Sequence, residues 1–253
     1  MSGHSKWATI KRQKAVVDAK RGAVYARMSR EIIVATKQGG PDREGNFRLR
    51  QAIDRAKAEG VPNDNIERAI EKGSGAGAAD NVEELTYEGY GPGGVAILVK
   101  CATDNRNRTA GDIRSYFSKY GGNLGDTGCV NWMFKERGEI QVGKEKSFDE
   151  DALLSAASDA GAEDLLTEDL EEALVICSSD KLEIVKTAVE KSGHEVVSAE
   201  VNMAPLTTVS VQDPDIAKQL LKLLDALENQ DDVQQVYANF DMDERLLRDF
   251  VNG

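Results

Sequence analysis

The sequence predicts an α+β multidomain protein: an N-terminal helical domain followed by two α/β ferredoxin-like domains, the last inserted in the middle one. Three observations carry this. Apolar residues recur at helical spacing up to Gly73, whereas short β-branched runs dominate afterwards. The small, aperiodic run Gly73-Ser74-Gly75-Ala76-Gly77-Ala78-Ala79 separates the two regimes and reads as a linker. The stretch 138–205 holds a self-contained βαββαβ order, the size of one small domain. The expected boundaries are 1–78 for the basic helical domain, 79–137 plus 206–253 for a discontinuous α/β domain, and 138–205 for the insert.

In chain order, Val24, Met28, Ile32 and Ala35 form an apolar stripe of helical period. Arg27 and Arg30 fall on the opposite face, free to meet solvent or phosphate. Gly39-Gly40-Pro41 stops this helix, because proline disfavours helix in the residue before it. The next helix carries Leu49, Ile53 and Ala56 on one face and ends at Gly60. Another opens on a capping box, Asp64 with Glu67, buries Ile66, Ala69 and Ile70, and stops at Gly73. Beyond the linker, strands over 85–90 and 95–99 make a hairpin around Gly91-Pro92-Gly93-Gly94. A helix capped by Thr109, with Asp112 at the third position, buries Ile113, Tyr116, Phe117 and Tyr120, and a strand follows near 130–134.

The insert reads as a strand over 139–142, a helix over 152–160, strands over 164–167 and 173–177, a helix over 181–191 and a strand over 195–201. A strand over 208–211, a helix opened by Pro214 with Ile216, Leu220, Leu223 and Leu227 inward, and a strand over 233–238 come last. These three have too little apolar surface to stand alone and are expected to complete the sheet begun at 85–134.

The charge is divided unevenly. The whole chain of 253 residues carries a formal −12. Residues 1–30 hold eight bases against one acid, a net of +7, and 31–72 balance at zero, so 73–253 carry −19. A basic arm on an acidic body is the asymmetry of a polyanion-binding tip, since a merely solvated face intersperses the two signs. The expected contacts are Lys6, Trp7, Lys11, Arg12, Lys14, Lys20, Arg21, Arg27 and Arg30, with Trp7 either stacking on a nucleotide or packing under the helix. A second anion site is expected at Asp104-Asn105-Arg106-Asn107-Arg108-Thr109, where Arg106, Arg108 and the nearby Arg114 meet a helix N-terminus.

Other classes are excluded by what the sequence lacks. A hydrophobic fraction of 40% builds cores and argues against disorder, yet the longest apolar runs fall far short of the ~18–20 residues of a membrane span. The opening Met-Ser-Gly-His-Ser-Lys-Trp has no apolar secretion core, so a cytoplasmic location is expected. Three cysteines and two histidines, with no C-x-x-C pair, argue against a disulfide framework or a zinc site, and Cys129 and Cys177 read as small core residues of strands. No Walker A loop, nucleophile elbow, H-E-x-x-H pair or dinucleotide fingerprint is present. No catalytic residues, cofactor, metal or small-molecule substrate are expected.

Several motifs resemble those of one family. Ser2-Gly3-His4-Ser5-Lys6-Trp7 and Ile10-Lys11 open the chain, and Asn46-x-x-Leu49-Arg50-x-Ala52 continues it. Tyr87-Glu88-Gly89-Tyr90-Gly91-Pro92-Gly93-Gly94, Thr103-Asp104-Asn105-Arg106-Asn107-Arg108-Thr109 and Gly121-Gly122-Asn123-Leu124-Gly125 complete the match. Together they are similar to the YebC/PmpR family, whose relatives include the mitochondrial translational activator of cytochrome c oxidase. The resemblance implies a helical domain plus two α/β domains, a cytoplasmic location and no enzymatic activity. It implies nucleic acid as partner: DNA for the members regarded as transcriptional regulators, or ribosomal or transfer RNA, and with it the ribosome, for those tied to translation on stalled ribosomes. Two positions depart from the family pattern, Cys129 where serine is expected and Lys100 where an acid is common.

Overall fold

A computed structural model of the chain describes Trp7 and residues 21–75, 82–144, 148–167 and 172–252. The chain divides into two compact units, one of residues 1–133 with 205–253 and one of 134–204. Among the described residues no helix is long and apolar enough to cross a membrane.

The first unit begins with three helices, α1 (Arg21–Gly39), α2 (Phe47–Ala58) and α3 (Asn63–Gly73). Ile32, Ile33, Leu49, Ile53, Ile66 and Ile70 close their shared core. One asparagine sets the α1–α2 turn. The buried Asn46 Oδ1 accepts from Leu49 N–H at 3.0 Å, capping α2, while Nδ2 donates to the carbonyls of Ala35 (2.9 Å) and Gly40 (2.8 Å). Gly73 lets α3 approach α1, because a Cβ there would lie 2.6 Å from Cβ of Thr36 and 2.8 Å from the Ile33 carbonyl. The expected capping box is displaced: α3 is capped by the backbone of Pro62, so Asp64 already lies in the first turn and Glu67 pairs with Arg43 instead.

Beyond 76–81, β1 (Glu83–Tyr90) and β2 (Ala96–Thr103) form an antiparallel hairpin around a 3-10 turn at Pro92–Gly94. The helix α4 (Arg106–Lys119) and the two-residue strand β3 (Asn123–Leu124) follow. After the insert come β8 (Val209–Val211), α7 (Pro214–Glu228), β9 (Val233–Ala238), β10 (Phe240–Met242) and α8 (Glu244–Asn252). The sheet order is β3-β1-β2-β9, so β9 completes it as expected. β8 does not join this sheet. It pairs in parallel with β10, a strand too short for its period-two pattern to stand out in the sequence. β2 serves two cores: Cys101 joins the α4/α7 side with Ile113, Phe117, Leu220 and Leu224, while its neighbour Ala102 joins the helical core. That is why its apolar run is continuous rather than alternating.

Two local expectations fail for related reasons. Asn105, not Thr109, caps α4, accepting from Arg108 N–H at 3.1 Å, and Thr109 turns inward to a buried carboxylate. Residues 130–134 are not one strand, because Glu88 accepts the N–H groups of Val130 and Asn131 and removes them from any ladder. Cys129 therefore sits half-buried in a loop rather than in a strand core.

The second unit runs β4 (Phe134–Gly143), α5 (Glu150–Asp159), β5 (Ala162–Leu166), β6 (Glu172–Cys177), α6 (Leu182–Lys191) and β7 (Val196–Pro205). Its sheet order, β5-β6-β4-β7, is that of a ferredoxin-like βαββαβ unit, antiparallel where β6 meets β4 and β5. Asp149 caps α5, and Ile140, Val142, Leu153, Val175, Leu182 and Val185 are buried.

Candidate nucleic-acid interface

Of the basic-arm residues, Lys6, Lys11, Arg12, Lys14 and Lys20 lie outside the described residues, and Arg21 opens the described part of α1. Trp7 is an anchor. Its ring is 1% exposed, packs edge-on to Phe250 at 5.7 Å, and its Nε1 donates to Glu228 Oε1 at 3.2 Å. A ring so covered has no face to offer a base, so the stacking expectation for Trp7 gives way to packing. Glu228 ends α7, which means that the basic segment is rooted on that helix.

Arg27 and Arg30 are not free either. Both turn to the segment that joins α7 to β9. Arg27 donates to the Glu228 carbonyl at 3.3 Å, and Arg30 donates to the Asp231 carbonyl and pairs with Asp232 at 3.5 Å. A helix C-terminus exposes unpaired carbonyls, which guanidinium groups satisfy. Arg108 meets the same carboxylate with 3.1 and 2.9 Å contacts and also pairs with Asp104 at 2.9 Å.

Asp232 is the centre of this arrangement. It is 1% exposed and accepts from Thr109 Oγ1 at 2.8 Å, in addition to the two arginines. Its own N–H donates to Gln230 Oε1 at 2.6 Å. Burial alone would raise its pKa. The Arg108 and Thr109 hydrogen bonds, with the charges of Arg30 and Arg108, outweigh burial and hold the carboxyl below the usual aspartate value. The hydrogen bonds that Arg108 donates to Asp232 and Asp104 in turn raise its own pKa.

All three members of the second expected site are exposed, but among the described residues only Arg106 and Arg114 have guanidinium groups that meet no carboxylate. Sequence spacing placed Arg106 and Arg108 together, but the structure separates their roles, since Arg108 closes on Asp232. Around α2, Arg43, Arg48 and Arg55 form ion pairs with Glu67, Glu84 and Glu31.

Two carboxylates escaped the sequence reading. Asp232 looks like half of a solvated Asp231-Asp232 pair. Glu88 stands in a strand whose alternation marks it only weakly, yet it is 4% exposed and accepts from the N–H groups of Gly128 (2.7 Å), Val130 and Asn131 (both 2.8 Å). Burial raises its pKa, but these three donors pull it below the ordinary glutamate value. The loop it braces displays Trp132, 67% exposed, with the indole N–H donating to the Cys129 carbonyl at 3.1 Å.

A cleft of about 560 Å³ lies between α4 and α7, lined by Tyr116, Lys119, Tyr120, Lys222, Asp225 and Asn229 among others. The thiols are unreactive in character: burial pushes Cys101 up to about 12 and Cys177 up to about 11. Among the described residues no group of three or more His, Cys, Asp and Glu is placed to hold a metal.

Comparison with known proteins accounts for nearly the whole chain. Residues 5–76 match the model of the TACO1/YebC protein N-terminal domain, and 82–240 match that of the TACO1/YebC second and third domain. A probable transcriptional regulatory protein of Trichormus variabilis is 56% identical over 250 residues, covering 98% of either chain. One of Desulfotalea psychrophila is 53% identical over 247 residues, again with 98% of each covered. The crystal structure of a conserved hypothetical protein from Aquifex aeolicus superimposes with a TM-score of 0.80 at 46% identity, over 90% of this chain and 93% of that one. The sheet architecture, the motif positions and the matched domains agree, and the chain belongs to the TACO1/YebC family.

Proposed function

We propose that the protein is a non-enzymatic regulator of gene expression that works in the cytoplasm by binding nucleic acid through its basic N-terminal segment. The observation that carries this is the charge partition, +7 over residues 1–30 against −19 over 73–253. An acidic body repels a polyanion, so docking is confined to the basic tip and the face beside it. The buried Trp7 supports the reading by rooting that segment on the folded body. The relatives' name, probable transcriptional regulatory protein, points to a regulatory role. Lys6, Lys11, Arg12, Lys14, Lys20 and Arg21 are the phosphate contacts, and Arg106 with Arg114 is the second anion site. Arg27, Arg30 and Arg108 hold the scaffold.

The first reading is a transcriptional regulator whose target is DNA. A second reading, a ribosome- or RNA-associated translation factor acting on stalled ribosomes, is favoured by one observation: Arg43, Arg48 and Arg55 engage glutamates instead of standing in a row on one helix that could enter a groove. Changing Lys11, Arg12 and Lys14 to Glu tests the shared core of both readings. Affinity for nucleic acid should fall and its salt dependence flatten, since each neutralised phosphate releases counterions. Unchanged affinity and slope would refute it. Sedimentation of extract on sucrose gradients separates the two readings. Co-migration with ribosomes that RNase abolishes favours translation, and a free pool with sequence-selective DNA shifts favours transcription.

A further inference from the structure

The cleft between α4 and α7 plays no part in the contacts described so far. Tyr116 and Tyr120 stand one turn apart on α4, each packed against the buried core on one side and partly exposed on the other. Lys119 lies beside them, its ammonium 5.2 Å from the Tyr120 ring centroid, and α7 contributes the exposed Lys222. Neither lysine meets a carboxylate among the described residues. Asp225 and Asn229 continue α7 toward its C-terminal end, so the cleft is cationic at one end and acidic at the other.

We propose that this cleft takes one nucleotide unit of a single-stranded nucleic acid, its base against Tyr116 and its phosphate between Lys119 and Lys222. Aromatic faces beside cations are what single strands bind, because an unpaired base offers its π-face to any ring. A duplex has no such face to give. The volume, about 560 Å³, falls within the usual range for small-ligand sites. The helix that supplies Lys222 also holds Trp7, through Glu228.

This inference rests on the nucleic-acid reading above, and the test keeps the two apart. Fluorescein-labelled single-stranded RNA and DNA of matched sequence are titrated with the full-length protein at several salt concentrations. Replacing both Lys119→Gln and Lys222→Gln should weaken binding about tenfold and flatten the salt slope by about 0.7 for the one phosphate no longer neutralised. Tyr116→Leu should weaken it about tenfold with the slope unchanged. Because Tyr116 leans on the core, its variant is checked by photo-crosslinking wild-type protein to a 4-thiouridine or 4-thiothymidine strand. The crosslinked peptide should contain Tyr116 or Tyr120. If wild-type protein binds but the lysine variant matches it in affinity and slope, and crosslinks map elsewhere, the cleft is not the site and the arm reading stands. If wild-type protein binds no strand, single or double, both fall.

Discussion

Asp232 and Glu88 are carboxylates of the same unit, almost equally removed from water, and they are neutralised in opposite ways. Asp232 is held by side chains: two guanidinium groups from α1 and α4 and a threonine hydroxyl. Glu88 is held by the backbone, with three N–H groups of one loop aimed at it and, among the described residues, no cation in contact. The first solution ties distant parts of the chain together, since Arg30, Arg108 and Asp232 span about the whole sequence. The second is local and shapes a single loop. Burial of a charge is costly in either case, so each must be compensated, but only the first depends on long side chains that water, salt and other anions can reach.

The largest break in this comparison is Asp232→Ala. It removes the carboxylate that Arg30 and Arg108 share, leaving Thr109 to the Asn105 carbonyl and Arg108 to Asp104, and because those arginines keep some access to water we expect about 2–3 kcal/mol of destabilisation, at or below the usual cost of breaking a buried pair. Chemical denaturation measures it, and a loss under about 0.5 kcal/mol would show that the cluster is not stabilising. Glu88→Gln should cost less, about 1–2 kcal/mol, because one carbonyl oxygen still accepts while the new amide faces donors. Its distinguishing sign is optical: the loop loosens and the emission of exposed Trp132 changes, whereas that of buried Trp7 does not. Following the two tryptophans separately in Trp7→Phe and Trp132→Phe backgrounds checks this.

Acid is the mildest perturbation. Both carboxyls titrate below their unfolded values, so the stability they add is fully present above the unfolded carboxylate range near pH 4 and is lost as pH falls through their folded pKa. Asp232→Asn should remove part of that acid dependence without changing its sign. A variant whose stability falls just as steeply between pH 5 and 2 as the parent's would show that Asp232 does not titrate there.

How much of this was visible beforehand depends on the distance over which a residue finds its partner. The stripe of Val24, Met28, Ile32 and Ala35, the hairpin around Pro92 and the βαββαβ insert are local patterns, and the folded elements coincide with them. The fate of Arg27, Arg30 and Arg108 was not legible, because their partners lie up to some two hundred residues away and an arginine on a polar helix face looks alike whether it meets phosphate or aspartate. Trp7 carried both meanings in sequence, and only its burial decides between them. β10 and α8 were missed because Phe240-Asp241-Met242 is too brief to display a period. Thr109 was misjudged as a cap since its position, three residues ahead of Asp112, mimics one.

Where the chain leaves the first unit and where it returns, Leu206 N–H donates to the Met133 carbonyl at 2.8 Å. The two ends of the gap are thus already stitched to each other. For the first unit, residues 134–204 amount to a long detour that starts and finishes at the same stitch, so no strand of its sheet changes register with the detour's length or contents. Inheritance can lengthen, replace or recombine such a module as one cassette, and the body that carries the basic tip keeps its geometry through the exchange.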